Sequence, residues 1–167
     1  AELLAQGKVI MWYQGKGEAG PRALGNRSIL VNPNVKYAKE MVNEKVKKRE
    51  WYRPYGASVK LDKYKDYFKL DWESPYMLYQ AQCLDPFNLQ SITHADGTCR
   101  IQTVSSTNKI FYSLLDSFDK ITGFPILLNT SMNLPGYPIT GSFNATKKMF
   151  DNSQCDALII GNNIFQK

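Results

Sequence analysis

Apolar and polar positions along the chain alternate between two periods, one suited to strands and one to helices. After a partial helix at Glu2 to Gln6, the run Lys8 to Gln14 (KVIMWYQ) is mostly apolar and stops at Gly15, which predicts a buried strand. A glycine-rich loop, Gly15 to Arg27, leads to a second strand, Ser28 to Asn32, closed by Pro33. Val35, Ala38, Met41, Val42 and Val46 then recur at helical spacing among Lys and Glu, predicting an amphipathic helix from Val35 to Arg49 that ends before Pro54. Gly56 to Lys60, Tyr76 to Gln82 and Thr98 to Val104 read as strands, with a partly helical, tyrosine-rich insert at Asp62 to Phe68. The clearest helix carries Ile110, Phe111, Leu114, Leu115, Phe118 and Ile121 on one stripe, with Ser106 or Thr107 as cap and Gly123 and Pro125 as stop. Strand Pro125 to Asn129, a polar loop Thr130 to Gly141, a helix from Ser142 to Asp151 and a strand Ala157 to Gly161 complete the chain. Strands alternating with helices predict an α/β domain with a twisted sheet and helices packed on it. The sheet should be mixed, because several connections are too short for a helical crossover.

Composition narrows the function classes. With 167 residues, 43% of them hydrophobic, the chain fits one domain with its own core. No apolar run is long enough to span a membrane and no signal peptide is recognisable, so it reads as soluble and cytoplasmic. Cys83, Cys99 and Cys155 are far apart and form no Cys-x-x-Cys pair, which indicates buried thiols rather than disulfides or a zinc site. A single histidine, His94, makes a metal centre built by this chain unexpected. The net charge of +6 and the pI near 9.2 attract anions without choosing among phosphate esters, nucleic acid and lipid. The start at Ala1, inside what reads as a helix, suggests a domain of something longer.

Gly15-Lys16-Gly17-Glu18-Ala19-Gly20 formally matches the dinucleotide fingerprint Gly-x-Gly-x-x-Gly. Only seven residues separate Gly20 from the next strand, too few for the helix whose amino terminus would hold a pyrophosphate. No P-loop motif exists either. The chain instead places cations beside glycines and helix ends. Arg22 and Arg27 share the loop Gly20 to Ser28, and Lys47, Lys48 and Arg49 close the first long helix, with Arg53 just beyond. Arginine's fixed fork of donors suits phosphate oxygens, although cations in a last helical turn also serve the helix dipole. Thr93 to Arg100 turns into a strand, and Asn129 to Asn133 leaves the carboxyl end of one, where ligands bind in open α/β sheets. The same residue types also make ordinary turns.

Taken together, GPRALGNRS (Gly20 to Ser28), KVKKREWYRP (Lys45 to Pro54), HADGTCRIQT (His94 to Thr103), LNTSMN (Leu128 to Asn133) and DALIIGN (Asp156 to Asn162) resemble the carboxy-terminal domain of O-carbamoyltransferases of the nodulation and antibiotic-biosynthesis type. The resemblance runs in order across nearly the whole chain. It implies a YrdC-like fold whose positive cavity binds ATP and carbamoyl phosphate and forms carbamoyl adenylate with release of pyrophosphate. It also implies a separate amino-terminal Kae1-like domain that transfers the carbamoyl group to a hydroxyl acceptor. The Lys-x-Arg and Ser-x-Asn pairs of YrdC-like cavities have counterparts in Lys47-Lys48-Arg49 and Ser131-Met132-Asn133. On this basis Lys47, Arg53, Arg100 and Ser131 are the expected catalytic contacts, and Arg22, Arg49, Asn129 and Asn133 the expected nucleotide contacts. Two positions depart from the family pattern: Glu18 alone remains of a Met-Glu-Phe stretch, and Tyr137 stands where an acidic residue is common.

Such a reaction needs no covalent nucleophile. It needs two polyanions held against their repulsion and charge neutralised on the transferring phosphoryl group, with Mg2+ arriving on the nucleotide. At about 1.5 to 3 kcal/mol per charged hydrogen bond, three or four net contacts cover the roughly 4 to 8 kcal/mol of millimolar to micromolar binding. The competing readings are an RNA-binding YrdC-like module, whose footprint would be a broad basic stripe, and a domain that only docks a partner.

Overall fold

The computed structural model describes all 167 residues, Ala1–Lys167. Its elements are α1 (Glu2–Ala5), β1 (Ile10–Tyr13), β2 (Arg27–Val31), α2 (Ala38–Val42), β3 (Gly56–Lys60), β4 (Phe68–Lys69), β5 (Gln80–Cys83), β6 (Thr98–Val104), α3 (Lys109–Thr122), β7 (Ile126–Ser131), α4 (Phe143–Asp151), β8 (Ala157–Ile160) and β9 (Asn163–Gln166). The strands form one nine-stranded sheet in the order β4-β5-β6-β3-β7-β2-β1-β8-β9. It is mixed, as expected: β1 with β8 and β3 with β6 are parallel, and the other pairs are antiparallel.

Alternation along the strands sends side chains to two cores. Ile10, Trp12, Leu30 and Leu127 face α1 and α3, where Phe111, Leu114, Leu115 and Phe118 bury the stripe read from the sequence. At about 1.5 to 3 kcal/mol for each fully buried large apolar side chain, this stripe is what binds α3 to the sheet. Met11, Ile29, Ala57, Ile101 and Leu128 face the other way, toward Val42 and Val46 on one segment and Met149 and Phe150 of α4. The buried ammonium of Lys60 reaches Asp116 of α3 at 2.8 Å, and hydrogen bonds from Lys120 and Lys60 hold the Asp116 carboxyl down at about 2. All three cysteines are buried and free, with burial pushing the Cys155 thiol up to about 12 and raising that of Cys99 as well.

Several boundaries differ from the sequence reading. The helix expected from Val35 to Arg49 starts at Ala38 and widens into a π-helical stretch at Asn43–Lys47. It ends because Lys48 takes a left-handed conformation, φ 47°, so Arg49 lies outside the helix rather than closing it. The strand expected at Tyr76 to Gln82 is reduced to β5, since Met77 is also left-handed, φ 56°. The cap of α3 is Asn108, not Ser106 or Thr107. The short edge strands β4 and β9 are not legible in the apolar pattern.

Candidate functional site

The site lies where the carboxyl end of β7 meets the start of β3 and the middle of β6. Register sets Gly56 of β3 opposite both Arg100 of β6 and Asn129 of β7. A Cβ on Gly56 would come within 2.9 Å of Met77 Sδ and 3.0 Å of the Arg100 carbonyl oxygen. Glycine there lets the backbone of β6 and the Met77 side chain close in behind the site.

Above this floor sits the Gly20 to Ser28 loop, held by its own carboxylate. Glu18 Oε1 accepts from the amides of Leu24 at 2.8 Å, Asn26 at 2.8 Å and Arg27 at 3.1 Å. The backbone donors of this loop that face Glu18 are therefore taken by its carboxylate and are not open to a phosphate. Arg27 is buried; it stacks 3.4 Å over Tyr13 and donates to the Gln14 carbonyl at 2.7 Å. Of the two arginines in the motif, Arg27 anchors the loop, whereas Arg22 lines a cavity.

Asn129 ties the loop to the sheet. Its Nδ2 donates to the Ala23 carbonyl at 3.1 Å and to Ser58 Oγ at 2.8 Å, while its Oδ1 is buried without a partner. Ser58 donates in turn to Gln102 Oε1 at 2.7 Å, and Gln102 Nε2 reaches the Leu24 carbonyl at 3.0 Å. Ser58 and Gln102 were not singled out from the sequence. Their signal is a polar residue at the centre of an otherwise buried strand, GASVK and CRIQTV.

Two adjoining cavities carry the expected cations. The inner one, about 80 Å³, is lined by Arg22, Arg49, Arg100, Asn129 and Ser131, with Pro54 and Met77 among its apolar walls. Arg22, Arg49 and Arg100 each keep a buried Nε without a hydrogen-bond partner. Burial, and then the fields of Arg22 and Arg49, lower the pKa of the Arg100 guanidinium. Arg49 also lies 4.2 Å over the Tyr55 ring, which fixes its plane. A small pocket lined by three guanidinium groups is chemically suited to an anion.

The outer cavity, about 490 Å³, shares Arg49 and Ser131 with the inner one and adds Lys47, Arg53, Asn133 and Gly136. Lys47 is buried, and its ammonium meets four oxygens: the Ser131 carbonyl at 2.8 Å, Ser131 Oγ at 3.4 Å, the Asn133 carbonyl at 3.0 Å and Asn133 Oδ1 at 2.8 Å. Burial first, and the charge of Arg49 second, bring its pKa down to about 7. Ser131 Oγ donates to Asn133 Oδ1 at 2.6 Å, so the two residues of the Ser-x-Asn pair are bonded to each other and to Lys47. Arg53 lies at the exposed rim, paired with Glu50 at 2.7 Å. His94 sits behind the site, its Nδ1 3.3 Å from Thr98 Oγ1, with burial lowering its pKa. All eight residues expected at the site line one or both cavities.

Residues 1–167 match the carbamoyltransferase C-terminus family. This chain belongs to that family. The carbamoyltransferase C-terminal domain is 41% identical over 173 residues to nodulation protein NolNO of Sinorhizobium fredii, covering 100% of the chain and 25% of that protein. To the 3'-hydroxymethylcephem-O-carbamoyltransferase of Amycolatopsis lactamdurans it is 34% identical over 165 residues, covering 98% of the chain and 32% of the relative. The domain thus spans a quarter to a third of the length of these curated relatives. Its fold is shared with part of full-length HypF, crystallised in the phosphate- and nucleotide-bound form, at a TM-score of 0.65 and 17% identity over 99% of the domain and 21% of HypF. The YrdC-like α/β fold implied by the motifs is the fold observed.

No helix of the carbamoyltransferase C-terminal domain is long and apolar enough to cross a membrane. No three His, Cys, Asp or Glu side chains gather into a set that could hold a metal ion. Both cavities are lined by cations.

Proposed function

We propose that this domain binds ATP and carbamoyl phosphate and forms carbamoyl adenylate, the activating half of an O-carbamoyltransferase. The observation that carries the reading is the convergence of Arg22, Arg49 and Arg100 on a cavity that shares Arg49 and Ser131 with the larger one around Lys47. Family membership narrows an anion receptor of this kind to carbamoyl chemistry. The phosphate and nucleotide named for HypF, a protein of the same fold, agree with that narrowing.

In this reading the inner cavity takes carbamoyl phosphate and the outer one the phosphates of ATP. Water cleaves carbamoyl phosphate to carbamate and inorganic phosphate. A carbamate oxygen then attacks the α-phosphorus, the bond from that phosphorus to the bridging oxygen breaks, and pyrophosphate leaves. Arg49 and Ser131, common to both cavities, stand where the two substrates meet. Lys47 and the arginines neutralise charge on the transferring group, Asn133 holds Lys47 in place, and the unpartnered Asn129 Oδ1 can accept from the carbamoyl NH2. A divalent ion such as Mg2+, if it arrives with the nucleotide, would offset charge on the leaving pyrophosphate. Transfer to a hydroxyl acceptor then belongs, in this reading, to an amino-terminal Kae1-like domain of the full-length protein, working in the cytoplasm.

An RNA-binding surface has less support, because surface lysines are paired with acids: Lys45 with Asp156, Lys120 with Asp116 and Lys147 with Asp151. Incubation with ATP, Mg2+ and carbamoyl phosphate should release pyrophosphate only when all three are present, with no carbamoylated product on an added alcohol. Pyrophosphate release independent of carbamoyl phosphate, or transfer by this domain alone, would overturn the assignment.

A further inference from the structure

Lys47 does not reach its four oxygens by way of an ordinary helix. The stretch that carries it, Asn43–Lys47, is widened so that the Lys48 amide donates to the Asn43 carbonyl at 2.8 Å, five residues back, and Lys48 itself is left-handed. Widened turns of this kind are rare and gather at functional sites. Side chains two apart on a helix do not face each other. Accordingly Lys47 reaches the end of β7, whereas Lys45 reaches Asp156, just before β8. Val46, between them, is buried in the core.

Asp156 is itself held in place where it meets Lys45. Its Oδ2 accepts from the Val9 amide at 2.8 Å, and its own amide donates to the Val9 carbonyl at 3.0 Å, which seats it beside the start of β1. Both carboxylate oxygens accept from Lys45 Nζ, at 2.8 and 2.7 Å, and the Lys45 carbonyl accepts from the Gln154 amide at 3.0 Å. Lys45 is thus gripped at both backbone and ammonium, two residues before Lys47. Neither Lys45 nor Asp156 lines either cationic cavity.

We propose that Asp156 is a positioning residue for the polyanion site: through Lys45 it holds the widened turn in the register that sends Lys47 into the cavity. The proposal rests on the reading of Lys47 as a ligand contact and adds what keeps it there. Burial opposes the charged form of Lys47, and the like charge of Arg49 opposes it further. The end of β7 and its loop meet the ammonium only with uncharged groups of Ser131 and Asn133, and the charged side chains sharing the cavity are Lys48, Arg49, Glu50 and Arg53. An unrestrained lysine would therefore gain by swinging to water, and the turn by closing to α-helical register. Lys45 is the anchor on the opposite side. The pair is only 24% and 23% exposed and shares its carboxylate with a backbone amide, so it keeps more strength than an open surface ion pair.

The test follows the titration of Lys47 by side-chain NMR in the parent domain, Asp156→Asn, Lys45→Met and Lys45→Arg. Inorganic tripolyphosphate with Mg2+ is the binding probe, and thermal melts check the fold. Asp156→Asn keeps an oxygen for the Val9 amide and removes the charge. If the turn is released, the pKa of Lys47 should rise from about 7 to about 9 or higher, toward the ordinary lysine range. Tripolyphosphate affinity at about pH 6 should drop about ten- to a hundredfold, as for one lost charged contact. The bare field of the missing carboxylate acts with the opposite sign, because removing a negative charge without movement lowers the pKa of a lysine. A fall or no change in Asp156→Asn therefore overturns the proposal. Lys45→Met should raise the pKa of Lys47 too, and the rise should persist in about 1 M salt, where the Debye length is about 3 Å. If Asp156→Asn does not fold, Lys45→Met decides, and a Lys47 that still titrates near 7 there overturns the proposal. Lys45→Arg, which keeps the charge, should titrate and bind like the parent. A parent Lys47 already in the ordinary lysine range would show the turn open without any change, and would also overturn the proposal. A parent that binds no tripolyphosphate overturns the functional reading alone, since the Lys47 titration still decides what holds the turn.

Discussion

The Lys47 ammonium lies 2.8 Å from the carbonyl oxygen of Ser131, a residue 84 positions further along the chain. Four oxygens share its three protons, while burial and Arg49 bring its pKa to about 7. An arriving polyanion favours the charged form, so binding should draw in a proton near neutrality. Affinity for tripolyphosphate should then fall as pH rises through about 7, and calorimetry in buffers of different ionisation enthalpy should register the proton. In Lys47→Arg, where the charge stays at all working pH values, the part of this dependence not due to the probe's own titration should vanish. The sign for stability is the reverse of a salt-bridged lysine. The folded pKa is below the unfolded value, so this group's penalty is largest below about 7 and is relieved as pH climbs toward the ordinary lysine range.

Removing one member of the guanidinium cluster should separate binding from stability. Arg100 is held against burial and against the charges of Arg22 and Arg49. Arg100→Met should raise the melting temperature or leave it unchanged, yet weaken phosphate binding about ten- to a hundredfold, the loss of one charged contact at roughly 1.5 to 3 kcal/mol. A lower melting temperature with parental binding would make Arg100 a structural residue.

Asn129 and Ser131 share a strand end but should respond differently to alanine. Asn129 Nδ2 bridges the Ala23 carbonyl and Ser58 in a buried network, so Asn129→Ala leaves buried groups unmatched and should cost about 2 to 3 kcal/mol in denaturant unfolding. Ser131 is half-buried and its hydroxyl faces the cavities, so Ser131→Ala should cost under about 1 kcal/mol while lowering pyrophosphate release at least tenfold.

Glu18 should prove to be a stability residue. Its single carboxylate oxygen accepts from three amides of the loop that carries Arg22. Glu18→Ala should destabilise the fold by about 2 kcal/mol or more. Hydrogen exchange should show amides 24, 26 and 27 losing protection ahead of the sheet.

What was legible in the sequence was whatever local physics controls. The stripe Phe111, Leu114, Leu115 and Phe118 sets the burial of α3 because helical geometry alone puts those residues on one face. Runs such as PILLN and ALIIG specify strands, their short connections specify a mixed sheet, and the resemblance carried by the motif segments points to the family. Within one motif, though, Arg22 and Arg27 look alike. Only the sheet decides that Arg27 is spent on Tyr13 and the Gln14 carbonyl while Arg22 faces Arg49 and Arg100. The Val35 to Arg49 pattern could not register the π-helical widening or the left-handed Lys48, which turns Arg49 out of the helix and onto Tyr55. Nor could a Gly-x-Gly-x-x-Gly string disclose that its neighbouring amides belong to Glu18. These outcomes rest on contacts between residues distant in the chain, as when Lys47 meets Ser131 and Asn133. Local pattern fixes which face a side chain takes, but only the completed packing fixes which partners remain for it there.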